Sequence, residues 1–88
     1  MAYVYILISL KDGKRYIGST TNLKTRLAQH NKGKVASTKY RIPFRLLAYK
    51  YCTNIKEATI LEKKFKKSHD FLERRIKSGK LKIVNSGV

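Results

Sequence analysis

The Asp12-Gly13 pair is the feature that most restricts how this chain can fold. It separates two runs rich in β-branched and aromatic residues, 2–9 and 14–18. Asp-Gly is a strong signal for a tight turn between antiparallel strands, because both residues tolerate the positive φ angles that such a turn needs. The sequence therefore predicts a β-hairpin at the start of the chain.

The register of this hairpin decides which side chains share a face of the sheet. If the Asp-Gly pair supplies the two central turn residues, Ser9 faces Tyr16 and Leu7 faces Gly18. Because side chains alternate between the two faces along a strand, Tyr5 and Tyr16 then lie on the same face. The opposite face is apolar and is the predicted core side. It carries Val4, Ile6, Ile8 and Ile17.

A first helix is predicted directly after the hairpin, over about residues 23–31. Thr21 or Asn22 is the expected N-cap, and Gly33 is the expected stop. Within this helix, Arg26 and His30 are four positions apart, so their side chains lie one above the other. A basic connection follows, and connections of this length are often binding loops.

The second half of the chain predicts one strand and two helices. Residues 44–52 have the composition of a third strand, and Asn54 is the expected N-cap of a second helix. A last helix is predicted over about residues 69–78. The expected fold is α+β, in the order ββαβα plus a C-terminal helix, as a single domain over residues 1–88.

The charge of the chain favours a polyanionic partner. It has 21 Lys and Arg residues against five acidic ones, a formal net charge of +16. A hydrophobic content of 42% indicates a folded domain rather than a disordered basic tail. One cysteine, Cys52, and two histidines do not make a structural zinc set, which fits a reducing compartment. No leader or membrane-span pattern is present, so a soluble cytoplasmic protein is expected.

Glu62 differs from the other acidic residues in its setting. It borders the predicted buried stripe of the second helix, where an unpaired carboxylate would be costly. The sequence leaves two interpretations open, a surface ion pair with Lys66 or a metal ligand. The remaining acids fall in the turn, in the first turn of the second helix and in the terminal helix. They are Asp12, Glu57, Asp70 and Glu73.

Two tyrosine motifs, an arginine, a histidine and a glutamate follow one another along nearly the whole chain. "YVY" occupies residues 3–5, and "YIGSTTNLKTRLAQHN" begins at Tyr16. This pattern resembles the GIY-YIG nuclease domain, most of all its small stand-alone members. The matching positions are Tyr5, Tyr16, Gly18, Arg26, His30, Glu62 and Asn85. The sequence departs from the pattern at Tyr3 and Val4, which stand in place of Gly and Ile. It departs again at Ser19, where some members have a basic residue.

The resemblance implies an antiparallel three-stranded sheet flanked by helices and a phosphodiesterase that uses one divalent metal ion. Glu62 would hold Mg²⁺ or Mn²⁺, hard cations that take few protein ligands when a substrate phosphate completes the shell. Two-metal chemistry would need more acids than this chain offers. Arg26 would donate to the scissile phosphate. Asn85 would finish the site by hydrogen bonding or by bracing its neighbours.

The resemblance also implies a phenol or an imidazole as the group that takes a proton from the attacking water. Tyr16, Tyr5 or His30 could serve, and the sequence does not order them. A tyrosine in this role needs a pKa below its usual value near 10, and the positive field of Arg26 and a neutral His30 are expected to lower it. Gly18 is expected to leave the backbone bare, so that a phosphate can approach it.

The predicted partner is nucleic acid, DNA in preference to RNA. Basic and aromatic residues around the long connection would follow the phosphate backbone, with Tyr40 available to stack on a base. They are Lys32, Lys34, Lys39, Tyr40, Arg41 and Arg45. Phosphate contacts carry little sequence information, so low sequence specificity or a preference for a nucleic-acid structure is expected. A role in DNA repair or with a mobile element, and a monomer or weak homodimer, complete the expectation.

Two other functions are compatible with part of the sequence. A non-catalytic basic module on the same fold would bind nucleic acid without needing Tyr16, Arg26 and Glu62 together. Adsorption to an anionic membrane rests on charge alone, because the chain lacks a strongly amphipathic basic helix with aromatic anchors. The joint presence of the three residues favours the nuclease, and no membrane partner is expected.

Overall fold

The N-terminal hairpin forms half of a four-stranded sheet in the structure, a computed structural model that describes residues 1–79 and 81–83. The strands pair antiparallel in the order β2-β1-β3-β4. The elements are β1 (Ala2–Ser9), β2 (Arg15–Thr20), α1 (Leu23–Asn31), β3 (Phe44–Cys52), α2 (Ile55–Lys67), α3 (His69–Lys77) and β4 (Lys82–Ile83). The predicted order ββαβα plus a C-terminal helix is confirmed, and β2-β1-β3 is the expected three-stranded sheet. The two-residue strand β4 was not predicted.

The hairpin register differs from the predicted one by two residues. Leu7 pairs with Tyr16 rather than with Gly18, and Gly18 pairs with Tyr5. The last bond of the ladder runs from the Ser9 backbone N–H to the Lys14 carbonyl oxygen, at 2.9 Å. The connection therefore has four residues instead of two. Because the shift is an even number of residues, each side chain keeps its predicted face, and Tyr5 and Tyr16 do share one.

The side chain of Ser9 accounts for the longer connection. Its Oγ accepts hydrogen bonds from the backbone N–H groups of Lys11 and Asp12, both at 3.2 Å. The same hydroxyl donates to the carbonyl oxygen of Arg41 at 2.6 Å. Gly13, with φ of 71°, then returns the chain to β2. The turn is thus organised by a buried serine that also holds the long connection.

Both faces of the sheet are covered by helices, as a sheet flanked by helices implies. On the first face, the fully buried Val4 and Ile6 pack in the cluster that contains Phe65 of α2 and Leu72 of α3. On the second face, Tyr5 and its neighbours pack against the leucines of α1. These neighbours are Leu7 and Phe44, with Tyr16, Leu23, Leu27, Ile42, Leu46 and Tyr49 around them. The hydroxyl of Tyr5 is therefore enclosed between the sheet and α1.

The helix ends follow the predicted capping pattern. The Asn22 side chain accepts from the backbone N–H of Thr25 at 3.1 Å, and Asn54 does the same for Glu57 at 2.9 Å. Each cap satisfies one of the N–H groups that a helix leaves unpaired at its start. Gly33, with φ of 75°, follows α1 as expected. These caps fix where α1 and α2 begin, and hence where their functional side chains lie.

The ends of the long connection between α1 and β3 are joined by a side chain. Asn31 accepts from the Phe44 backbone N–H at 2.6 Å and donates to the Phe44 carbonyl oxygen at 3.1 Å. Residues 32–43 consequently leave and re-enter the fold at one point. Within this loop Thr38 is fully buried, so the loop also reaches into the protein interior.

Candidate active site

A buried hydrogen bond between Tyr5 and His30 lies at the centre of the candidate site. Tyr5 projects from β1 and His30 from the last turn of α1, and neither is more than 1% exposed. The Tyr5 hydroxyl and the His30 Nε2 are 2.9 Å apart. Two residues expected to act in one site are thus brought together by the packing of α1 on the sheet.

His30 is held on its other side by Thr38. The distance from His30 Nδ1 to Thr38 Oγ1 is 2.8 Å, and the threonine hydroxyl has the carbonyl oxygen of Val35 at 3.4 Å as its own acceptor. If the hydroxyl donates to that carbonyl, it accepts from Nδ1–H, which leaves Nε2 free to accept from Tyr5. The network thus has a consistent direction, in which Tyr5 donates to His30 and His30 donates to Thr38.

Burial keeps both members of this pair neutral. The pKa of His30 is lowered to about 4, first by desolvation and then by the positive charge of Arg26. The expectation of a neutral His30 agrees with this direction, but the lowered pKa makes His30 a weaker proton acceptor than an ordinary histidine. For Tyr5 the expected fall in pKa is wrong. Its pKa is raised, because desolvation outweighs the opposing hydrogen bond from Arg26.

Arg26 stands at the border between this buried pair and solvent. Its Nε lies 3.4 Å from the Tyr5 hydroxyl oxygen, and its Nη1 donates to Gln29 Oε1 at 3.1 Å. Arg26 is half-buried on α1, one turn before His30, as the four-residue spacing predicted. These contacts hold the guanidinium in place and leave some of its N–H groups for an anion.

Tyr16 is the more accessible of the two paired tyrosines. It is half-buried, its ring centroid lies 5.0 Å from that of His30, and the centroids of Tyr16 and Tyr5 are 6.4 Å apart. Tyr16 and Lys66 both line a cleft of about 570 Å³. Tyr16 lines this cleft, whereas the buried Tyr5 does not.

Glu62 takes part in two polar contacts at the edge of β2. Lys66 Nζ lies 2.7 Å from Glu62 Oε2, and Ser19 Oγ donates to Glu62 Oε1 at 2.6 Å. The ion pair that the sequence allowed is therefore present. Lys66 also places its Nζ 5.8 Å from the centroid of the Tyr16 ring. This lysine links the carboxylate of α2 to the tyrosine of β2.

The donor set at Glu62 fits a cation that needs few protein ligands. Among residues 1–79 and 81–83, no group of three or more His, Cys, Asp or Glu side chains is arranged to hold a metal ion. A single carboxylate can bind Mg²⁺ when water and substrate phosphate supply the other oxygens. The carboxylate of Glu62 has about four lone-pair positions and two partners. The side chain of Lys66 is half exposed.

The structure gives Gly18 a different use from the predicted one. A Cβ at this position would lie 2.4 Å from the Tyr5 hydroxyl oxygen and 2.6 Å from its Cζ. The glycine therefore makes room for the phenol of the neighbouring strand. The expectation that a phosphate approaches the bare backbone here is corrected, because the Tyr5 ring fills that space.

The basic loop contains one structural residue among the predicted binding residues. Arg41 Nε lies 2.9 Å from Asp12 Oδ2, and its guanidinium covers the Phe44 ring at 5.5 Å. The pKa of Asp12 is lowered by its hydrogen bonds to the Lys14 backbone and to Arg41. The other predicted members are exposed. They are Lys32, Lys34, Lys39, Tyr40 and Arg45.

Sequence reasoning missed two residues of the site, Thr38 and Ser19. Thr38 lies in a polar loop with no periodicity, so nothing marked it as buried. Ser19 was noted only as a departure from the family pattern, yet it binds Glu62. Asn85 lies outside the described residues.

Comparison with known proteins supports a single family. Residues 1–77 match the model of the GIY-YIG catalytic domain. Two UPF0213 proteins of Streptococcus pyogenes, SpyM50708 of serotype M5 and SpyM3_1077 of serotype M3, are each 42% identical to this chain over 84 residues. That alignment covers 94% of this chain and 84% of each relative.

A solved structure is similar as well. The solution NMR structure of the UPF0213 protein BH0048 from Bacillus halodurans is 36% identical to this chain, with a TM-score of 0.52. The match covers 91% of this chain and 86% of that one.

In the part of the chain that the structure describes, every helix is too short or too polar to cross a bilayer.

Proposed function

This chain belongs to the GIY-YIG family, and on that premise we propose that it is an endonuclease hydrolysing phosphodiester bonds with one Mg²⁺ or Mn²⁺ ion. The observation that carries the proposal is the convergence of five predicted residues from four elements. A chain of contacts runs from Arg26 through Tyr5, His30 and Tyr16 to Lys66, and from Lys66 to the carboxylate of Glu62. The longest of these links is the 5.8 Å from the Lys66 Nζ to the centroid of the Tyr16 ring.

Arg26 is the proposed phosphate ligand. Its Nε is engaged by Tyr5 and its Nη1 by Gln29, so the guanidinium is oriented before an anion arrives. An arginine held in this way can donate two parallel hydrogen bonds to phosphate oxygens. It would neutralise charge as the pentacoordinate state forms, without having to reorganise.

Tyr16 is the proposed group that faces the attacking water. It lines the open cleft, whereas Tyr5 is buried and has a raised pKa. Tyr5 would instead brace Arg26, since its oxygen accepts from Arg26 while its hydrogen is directed at His30. His30, neutral at physiological pH because its pKa is about 4, keeps the Tyr5 hydrogen directed away from the guanidinium.

Glu62 is the proposed metal ligand, with Ser19 as the residue that orients it. A divalent ion bound there would supply a positive charge beside the leaving oxygen of the phosphodiester. Binding requires Lys66 to leave the carboxylate. Its exposed ammonium can then turn to the nucleic-acid backbone.

The exposed cations of the loop and of the start of β3 give the proposed substrate contacts. Lys32, Lys34, Lys39 and Arg45 carry charge without a base-reading geometry, so binding is expected to be salt-dependent and of low sequence specificity. DNA is proposed in preference to RNA. Cutting of random duplexes at one short sequence only would contradict this part of the proposal.

The test is cleavage of labelled single-stranded, duplex and branched DNA with Mg²⁺ or Mn²⁺. Glu62→Gln should lower the cleavage rate by at least about 100-fold, since a lost metal ligand removes several kcal/mol of transition-state stabilisation. Binding of the same DNA should persist. Glu57→Gln removes the same charge from an exposed position of α2 and serves as the control.

A non-catalytic nucleic-acid-binding module is the second candidate. The favouring observation is that both oxygens of Glu62 already have protein partners, Ser19 and Lys66. In that case wild type and Glu62→Gln would bind DNA equally, with equal and negligible cleavage across metals and substrates. That outcome would mean that Tyr16 and Arg26 have a structural role in the fold and no catalytic role.

A further inference from the structure

A second groove of about 590 Å³ lies between the start of α1 and the sheet. Its volume is typical of a small-molecule site. Its lining is mostly apolar and aromatic, and it includes none of Tyr5, Tyr16, Arg26, His30 or Glu62. The residues that matter here are Met1, Tyr3, Leu23, Lys24, Leu27 and Tyr49.

Three tyrosines form an aromatic cluster, of which Tyr3 and Tyr49 line this groove and Tyr51 adjoins them on the same face of the sheet. Tyr3 of β1 is the direct cross-strand partner of Tyr51 of β3, and Tyr49 lies two residues before Tyr51 on the same face. The ring of Tyr3 makes edge contacts with both, at centroid distances of 6.0 Å to Tyr49 and 5.8 Å to Tyr51. Tyr51 is 53% exposed, so its ring is open to a ligand.

The surroundings of this cluster are positively charged. Lys24 lines the groove and is exposed. Lys82 of β4 is the strand partner of Tyr49, so it belongs to the same face of the sheet, and it is also exposed. The acids lie elsewhere: three are paired with Arg41, Lys66 and Arg15, and two are at the starts of α2 and α3. They are Asp12, Glu62, Glu73, Glu57 and Asp70.

We propose that this groove binds unpaired bases of single-stranded nucleic acid, which stack on the tyrosine cluster while their phosphates contact Lys24 and Lys82. Aromatic rings with an exposed face, set beside cations, are the combination that holds single strands without reading sequence. An apolar peptide would gain nothing from the lysines, and a duplex would not present its base faces. The proposal rests on the nuclease function and adds its substrate class, nucleic acid with unpaired nucleotides.

The test uses oligonucleotides that carry 2-aminopurine, a base whose fluorescence is quenched by stacking. Binding is measured in the Glu62→Gln background, so that no strand is cut. We expect Tyr51→Ser to weaken single-strand binding by about 5- to 100-fold and to abolish the protein-induced quenching, with duplex affinity and salt slope unchanged. Tyr51→Phe, which keeps the ring, should behave as the parent. Ile60→Ser removes a similarly exposed apolar side chain from α2 and is the matched control.

Three results would overturn the proposal. The first is unchanged quenching in both Tyr51→Ser and Tyr3→Ser, with circular dichroism showing that both remain folded. The second is an equal loss of duplex and single-strand binding. The third is a change from dimer to monomer in sedimentation with quenching intact, which would identify the face as a contact between two copies. Quenching that depends on Tyr51 in a protein that never cleaves would retain the groove and reject the nuclease, so the two proposals fail separately.

Discussion

The candidate site has an inner half and an outer half that differ in burial and in the work each can do. The inner half is sealed between the sheet and α1, and its hydrogen bonds have a consistent direction. It consists of Tyr5, His30 and Thr38. The outer half reaches the open cleft through two of its residues, Tyr16 and Lys66, and its ion pair includes this half-exposed lysine. It consists of Tyr16, Ser19, Glu62 and Lys66.

Two tyrosines on one face of a sheet therefore need not have the same role. They lie on adjacent strands, only 6.4 Å apart between ring centroids, but one is covered by α1 and the other meets solvent. Burial makes Tyr5 a better scaffold and a poorer base. Exposure makes Tyr16 the phenol that can touch a substrate. Substitutions or pH changes that act on the inner half should alter stability, whereas those that act on the outer half should alter cleavage.

Acidification should weaken the inner half most. His30 has a folded pKa of about 4 against an unfolded value near 6.5, so between these values the unfolded chain binds a proton that the folded chain does not. Stability is therefore full above pH 6.5 and falls as the pH drops towards 4, by as much as about 3 kcal/mol. Urea unfolding at pH 7.0 and pH 4.5 measures this loss.

A His30→Asn variant provides the control for the acid effect. The variant should have a lower free energy of unfolding than the wild type at pH 7. That free energy should change little between pH 7.0 and pH 4.5. The lowered pKa of Asp12 acts below pH 3.8, outside this window. An equally steep loss in the variant would assign the pH dependence to another group.

Removal of the phenolic oxygen of Tyr5 or of Tyr16 should affect different properties, stability for the inner half and cleavage for the outer half. Tyr5→Phe leaves the buried His30 Nε2 without its partner, so we expect a loss of about 1–3 kcal/mol in unfolding free energy. Tyr16→Phe should change stability by less than about 0.5 kcal/mol. It should reduce cleavage by about 100-fold or more if Tyr16 faces the water. Denaturant unfolding and single-turnover cleavage distinguish the two, and the reverse pattern would exchange their roles.

The smallest effect is expected at Lys66, in the outer half. Lys66→Gln removes an ion pair four residues apart on a helix, which is worth only about 0.3–0.5 kcal/mol to stability. It also frees one oxygen of Glu62, so Mn²⁺ should bind the variant several-fold more tightly. Titration followed by the paramagnetic signal of Mn²⁺ measures this affinity without any need for activity. Weaker binding would mean that Lys66 supports the site instead of competing for it.

Most of the fold could be predicted because it depends on local signals. The strand Phe44–Cys52 and the caps Asn22 and Asn54 lie where composition and capping placed them. The hairpin register was missed because the Ser9 hydroxyl captures two turn N–H groups, a tertiary choice that Asp-Gly alone does not encode. The prediction of which face each strand residue occupies was still correct, because a register error of two residues leaves the alternation of side chains unchanged.

The sequence named some of the residues that meet in the candidate site, but it did not predict their electrostatics. The resemblance supplied Tyr5, Arg26 and Glu62, and the structure places them in one network. The pKa of Tyr5 was expected to fall in a positive field. It rises because packing against α1 removes the phenol from water, which the sequence does not reveal. Thr38 was invisible for a related reason, because only the packing of the loop makes it a partner of His30.

The close fit of Tyr5 over Gly18 has a consequence for how this sequence can change over time. A methyl group at position 18 and a phenol at position 5 would compete for the same space, with atoms 2.4 Å apart. The two positions are therefore epistatic: an alanine at 18 becomes tolerable only after position 5 has become smaller. A substitution at Gly18 is therefore coupled to the side chain at position 5, and the two tyrosine motifs are constrained to change together.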